Sequence, residues 1–204
     1  MSEIYALSDD VLTPPQTIFS QIDEILRCGV KLVQYRSKLA AQDEALIRSL
    51  IGLCEDYNAK LIINDDAALA KKLGAHGVHI GANDGETAQV REFLGEDKII
   101  GVSCYADLAR ARQAEAQGAS YVAFGSLRRG KTKPDAPLCP DALVQEARKF
   151  LNLPIAVIGG ISLENLNEIL ILKPDYIAMV EAIDKPASIT QNLANLKEKM
   201  DEYI

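Results

Sequence analysis

Short apolar runs alternate with helix-like stretches eight times along the 204 residues, and this alternation constrains the fold more than any other feature. The runs are Ile4 to Leu7, Val30 to Arg36, Leu61 to Ile63, Val78 to Ile80, Ile99 to Ser103, Tyr121 to Gly125, Ile155 to Ile158 and Tyr176 to Val180. Ile- and Val-rich runs that stay apolar without alternating belong to parallel sheets covered on both faces. Between them lie helical stripes such as Ile18, Ile22, Ile25 and Leu26, then Leu46, Leu50, Leu53 and Tyr57. Gly74 and Gly95 stop the predicted helices Ala67 to Leu73 and Thr87 to Leu94. Ser162 is placed to cap a helix whose apolar face is Leu163, Leu166, Ile169 and Leu170. No linker or composition break interrupts the pattern. It predicts an α/β fold, a single-domain (β/α)8 TIM barrel over residues 1–204. A doubly wound open sheet is the competitor, although no Gly-x-Gly-x-x-Gly follows the first run.

The formal net charge of −7 argues against nucleic acid as a partner, since such binding needs a basic face. No apolar run approaches the length of a membrane span. Met1-Ser2-Glu3 leads straight into the first strand with no charged leader, so no signal peptide is expected. Cys28, Cys54, Cys104 and Cys139 are scattered without metal-site spacing, which points to reduced thiols and a cytoplasmic protein.

In a barrel the chemistry is sought where strands end. Asp65 follows the third strand and Asp84 the fourth, a plausible pair for a hard divalent cation. The plainer alternative makes Asp65 the cap of the next helix and Asp84 a turn residue. On the second strand, a side-chain period of two sends Gln34, Arg36 and Lys38 to one side, where the two cations can bind phosphate. Ser103 ends the fifth strand and can donate to the same ligand. Leu127 to Pro134, with Thr132 and Lys133, is a basic loop suited to covering a polyphosphate. Gly159-Gly160, expected just before a helix, offers unobstructed N–H groups to an anion. His76 and His79 are expected to be structural, and no Ser–His–Asp or Cys–His arrangement assembles. The set suits a metal-complexed diphosphate beside a second phosphate, in a reaction that releases pyrophosphate.

These residues resemble the thiamine-phosphate synthase family. The likeness runs in order through Gln34-Tyr35-Arg36-Ser37-Lys38, Asn64-Asp65, Gly77-Val78-His79-Ile80-Gly81 to Asp84, Gly101-Val102-Ser103, Thr132-Lys133 and Ile158-Gly159-Gly160-Ile161. The resemblance implies a barrel that joins hydroxymethylpyrimidine diphosphate to thiazole phosphate. It implies Mg²⁺ on Asp65 and Asp84, and a diphosphate held by Arg36, Lys38, Asn64, Ser103 and Lys133. Among these, Arg36, Lys38, Ser103 and Lys133 would assist departure of the leaving group. Gln34 would lie near the pyrimidine, with Thr132 and Gly160 at the thiazole phosphate. The implied chemistry is dissociative and needs no strong base. Partners are small-molecule substrates, and a homo-oligomer is compatible with the family. The chain departs from the pattern at Glu181, where the family has Ser, at Ala82, where it has Gln, and at Arg129-Gly130-Lys131. A thiazole tautomerase and a non-catalytic sensor of thiamine phosphates are the alternative readings.

Overall fold

The computed structural model describes residues 2–130 and 137–203. Its strands are β1 (Glu3–Leu7), β2 (Leu32–Tyr35), β3 (Lys60–Asn64), β4 (Gly77–Ile80), β5 (Ile99–Tyr105), β6 (Tyr121–Phe124), β7 (Ile155–Ile158) and β8 (Tyr176–Met179). Each pairs in parallel with its neighbours in chain order, and β8 closes on β1 with Tyr176 opposite Glu3. Closure decides for the TIM barrel and against the open sheet, and it leaves no strand edge exposed.

The helices are α1 (Ile18–Arg27), α2 (Glu44–Asp56), α3 (Ala67–Leu73), α4 (Thr87–Leu94), α5 (Leu108–Ala116), α6 (Asp141–Ala147), α7 (Leu166–Leu170), α8 (Glu181–Asp184) and α9 (Ile189–Asp201). Carboxylates start several of them. Asp43, Asp66 and Asp107 accept from the N–H groups of Leu46, Leu69 and of Ala109 and Arg110, and Ser188 does the same for Gln191. Each such cap is worth about 1 kcal/mol.

Side-chain alternation along the strands creates two apolar shells. Ile4, Val33, Leu61, Ile63, Val78, Ile100, Val122 and Val157 pack outward against the helices. Tyr5, Leu7, Leu32, Ile62, Tyr121, Ala123, Ala156 and Ala178 fill the barrel itself. The inner shell pairs tyrosines with small residues. Tyr5 and Tyr121 meet edge to face at 5.8 Å, and Tyr121 meets Tyr176 at 5.9 Å. Gly101 makes that filling possible, because a Cβ there would lie 2.0 Å from Cζ of Tyr121.

At the end of the barrel where the strands begin, Arg91 gathers the carbonyls of Gly95, Lys98 and Gly118 at 2.6–3.0 Å. It ties α4 to the starts of β5 and β6.

Three local expectations need correcting. The buried stripe of α2 is Ile47, Leu50, Ile51 and Cys54, while Leu46, Leu53 and Tyr57 pack at its margin. Tyr57 lies beyond the helix, and its hydroxyl donates to Asp23 instead of entering the core. Ser162 caps nothing: its hydroxyl donates to Glu164, and the chain turns through Asn165 before α7 begins at Leu166. The short turn α8 follows β8 directly.

Candidate active site

The ends of β3 and β4 lie side by side, with Asn64 opposite His79. Beyond Asn64 the chain turns sharply. The Asp65 N–H donates to the His79 carbonyl and that of Asp66 to the Asn64 carbonyl, both at 2.8 Å. Asp65 takes a left-handed φ of 66°, which Asp tolerates better than most residues. Capping α3 falls to Asp66, so the plainer role expected for Asp65 is taken by its neighbour. Asp65 is free to face the barrel mouth, where Lys38 Nζ donates to its Oδ2 at 2.5 Å.

Asp84 returns toward β4, and its Oδ2 accepts from the Gly81 N–H at 2.7 Å. The Asp65 and Asp84 carboxyls act on one another's charge across the two strand ends. Burial pushes the Asp65 carboxyl up, but the Lys38 hydrogen bond and charge outweigh it and hold that carboxyl below its ordinary value. Asp84 is pushed above its ordinary value, by burial first and then by the Asp65 charge, against the Gly81 hydrogen bond. Two carboxylates pressed together against one ammonium form a hard-oxygen donor set short of positive charge. Among the described residues no group of three or more His, Cys, Asp or Glu side chains is placed to hold a metal ion. Two carboxylates are a donor set that Mg²⁺ can use, since it takes one or two carboxylates and completes its shell with water and substrate phosphate.

The loop after β1 orders the end of β2. Ser8 Oγ accepts from the Arg36 N–H at 2.7 Å and donates to the Arg36 carbonyl at 3.1 Å. Asp10 accepts from the Lys38 N–H at 2.7 Å, and Asp9 lies 3.9 Å from the Arg36 guanidinium. Gln34 points into the barrel, is buried, and donates from Nε2 to the Tyr5 hydroxyl at 2.9 Å.

Ser103 on β5 contacts Nε2 of His79 at 2.8 Å, while Nδ1 of the same ring lies 2.9 Å from the Tyr121 hydroxyl. Burial drives the His79 pKa down to about 4, with the Asp65 charge opposing, so the ring is neutral at physiological pH. His79 thus touches a residue expected to bind ligand. Its strand parity carried this signal, since it shares the inward side with Gly77 and Gly81. His76 sits at the other end of the strand and accepts from the Leu61 N–H through Nδ1, the structural role expected of it. Arg110 also escaped sequence reasoning. It donates to the carbonyls of Ser103 at 2.7 Å and Gly81 at 3.0 Å, fixing the ends of β4 and β5 from α5.

The Gly159-Gly160 turn differs from expectation. Asn165 staples it, donating to the Gly160 carbonyl at 2.8 Å and accepting from the Ser162 N–H at 2.9 Å, and no helix follows directly. The glycines make room for the loop after β6. A Cβ on Gly159 would strike Ser126, and one on Gly160 would lie 2.6–2.7 Å from the carbonyls of Arg129 and Arg128. Arg128 anchors that loop on Asp141 at 2.7–2.9 Å and Glu168 at 3.0 Å. Thr132 and Lys133 lie outside the described residues. Glu181 opens α8 just past β8 and is half-buried.

Residues 4–183 match the family model described as thiamine monophosphate synthase. The chain belongs to this family. A thiamine-phosphate synthase from Nitrosococcus oceani is 44% identical over 204 residues, covering 98% of this chain and 93% of that protein. One from Thioalkalivibrio sulfidiphilus is 40% identical over 182 residues, covering 88% and 86%. Among solved structures, a thiamine phosphate pyrophosphorylase from Pyrococcus furiosus superimposes with a TM-score of 0.88 at 26% identity, covering 99% of this chain and 96% of that one. These family matches favour a synthase over the tautomerase and the sensor.

Proposed function

We propose that this family member is a transferase joining hydroxymethylpyrimidine diphosphate to thiazole phosphate, with release of thiamine phosphate and pyrophosphate. The observation that carries the site assignment is the Asp65–Asp84 pair at the barrel mouth with Lys38 upon it. Asp65 and Asp84 would hold Mg²⁺, which when bound supplies positive charge against the departing diphosphate. Arg36 and Lys38 from the end of β2, Asn64 from β3 and Ser103 from β5 would grip the diphosphate, and Lys133 from the basic loop would join them. Gln34, buried in the barrel, would lie near the pyrimidine. Thr132 and Gly160 would meet the thiazole phosphate.

The chemistry needs no proton transfer. The carbon–oxygen bond to the diphosphate breaks and its electron pair leaves with pyrophosphate. The thiazole nitrogen then donates its lone pair to the pyrimidine methylene carbon. The cations at the mouth stabilise the charge that develops on the leaving group. His79 is kept neutral and engaged through both ring nitrogens, in keeping with a site that uses no general base. We assign the protein to the cytoplasm from its scattered cysteines, of which Cys54, Cys104 and Cys139 are buried. No helix among the described residues is long and apolar enough to cross a membrane.

Asp65→Ala and Asp84→Ala test the assignment. Each should lose Mg²⁺-dependent turnover while keeping the circular dichroism spectrum of the parent. Turnover unchanged in either folded variant would remove the metal site from this account.

A further inference from the structure

A continuous chain of hydrogen bonds runs through the barrel. Gln34 Nε2 lies 2.9 Å from the Tyr5 hydroxyl, Tyr5 2.8 Å from Tyr121, Tyr121 2.9 Å from His79 Nδ1, and His79 Nε2 2.8 Å from Ser103 Oγ. Five strands supply its members, and Gly101 is reserved for it, since any Cβ there would overlap the Tyr121 ring.

Such a chain has a direction, because each hydroxyl and a neutral imidazole has one proton to give. Gln34 presents its amide N–H to Tyr5, so the Tyr5 proton is left for Tyr121 and the Tyr121 proton for His79 Nδ1. The His79 proton must then reside on Nε2 and point at Ser103 Oγ. With its oxygen already accepting, Ser103 has its own hydrogen left to donate at the barrel mouth. The opposite direction would spend the Ser103 hydrogen on His79 and turn only lone pairs toward an anion. We infer that Gln34, Tyr5, Tyr121 and His79 are positioning residues that polarise Ser103 into a donor for a phosphate oxygen. The anion's identity as a diphosphate rests on the proposed function, but the direction of the relay does not.

The first test uses the ligand-free protein labelled with ¹⁵N in histidine. Two-bond ¹H–¹⁵N correlations should show His79, recognised by its absence in His79→Gln, with the proton on Nε2 and Nδ1 bare. A proton on Nδ1 instead, or an imidazolium at neutral pH, would overturn the inference. The second test is a double-mutant cycle read by calorimetric titration of pyrophosphate with Mg²⁺. Ser103→Ala should weaken binding about tenfold, as for one hydrogen bond to a charged group. Tyr121→Phe should weaken it comparably, and the double variant no more than Ser103→Ala alone. A merely structural Tyr121 would give additive losses, which would refute the relay. If the parent protein fails to bind Mg²⁺-pyrophosphate, the synthase reading falls while the tautomer still decides the relay.

Discussion

Gly101→Ala is the sharpest probe of how the barrel is filled. The new methyl would sit 2.0 Å from Tyr121 Cζ and 2.2 Å from its hydroxyl oxygen. Carbon atoms pack at roughly 3.5–4.0 Å, so the ring must move by about 1.5 Å. It has little freedom to do so, being wedged edge to face against Tyr5 and Tyr176 and stacked on His79. Overpacking of this kind costs about 1–3 kcal/mol. The shift also breaks the bonds from Tyr121 to Tyr5 and His79, each worth about 1 kcal/mol. The expected loss is about 3–5 kcal/mol. With a urea slope of about 3 kcal/mol/M, the unfolding midpoint should fall by roughly 1–1.5 M. Gly52→Ala is the control. Gly52 lies within α2 with no atom within 4 Å of an added Cβ, so the same chemical change there should stabilise by about 0.5–1 kcal/mol. A Gly101→Ala midpoint within about 0.2 M of the parent would refute the steric argument.

Asp184 gives a pH-dependent prediction. Burial and then the nearby Asp9 raise its carboxyl to about 6, above the value near 4 expected of the unfolded chain. The native state therefore binds the extra proton between those values, and stability falls as pH rises through them. Asp184→Asn should be more stable than the parent by about 1 kcal/mol at pH 8, after allowance for solvent, and no more stable near pH 4. An equal difference at both pH values would count against it. Arg91→Ala should cost about 2–4 kcal/mol in thermal unfolding, because several carbonyls lose their donor, yet leave the turnover of folded protein unchanged. A loss of turnover at full folding would show that the strand-start end of the barrel matters to the chemistry. Glu181→Ser removes a carboxylate from the position where the resemblance implies a Ser at the thiazole phosphate. It should lower the KM for that substrate about fivefold, as for one like charge nearby, and an unchanged KM would mean the carboxylate faces elsewhere.

What the sequence made legible was local. The runs around Ile4, Leu61 and Ile155 became strands because buried parallel strands need no alternation, and Ala67 to Leu73 with its Gly74 stop became α3 unchanged. Asp65, Asp84 and Lys38 could be named because each stands just past a strand, and the fold then brought them into contact across neighbouring strands. The interior was not legible. Tyr5 and Tyr121 are partners across 116 residues, and neither belongs to a local pattern that would mark it. His79 was read as structural, and its strand parity placed it inward, but its particular contacts with Ser103 and Tyr121 exist only once the barrel closes. Gly159 and Gly160 were read as an anion cradle, and the second demand on them, room for Ser126 and for the carbonyls of Arg128 and Arg129, has no local signature. Ser162 looked like a cap because cap signals are read from type and spacing, whereas Asn165 won the turn by bonding back to Gly160.

The central claim is that the mouth of this barrel makes thiamine phosphate with metal assistance. The most direct test is to incubate the purified protein with hydroxymethylpyrimidine diphosphate, thiazole phosphate and Mg²⁺, and to follow thiamine phosphate with and without EDTA. The account predicts product that appears only with free Mg²⁺. Absence of product with both substrates and metal present, or product undiminished by EDTA, would contradict it.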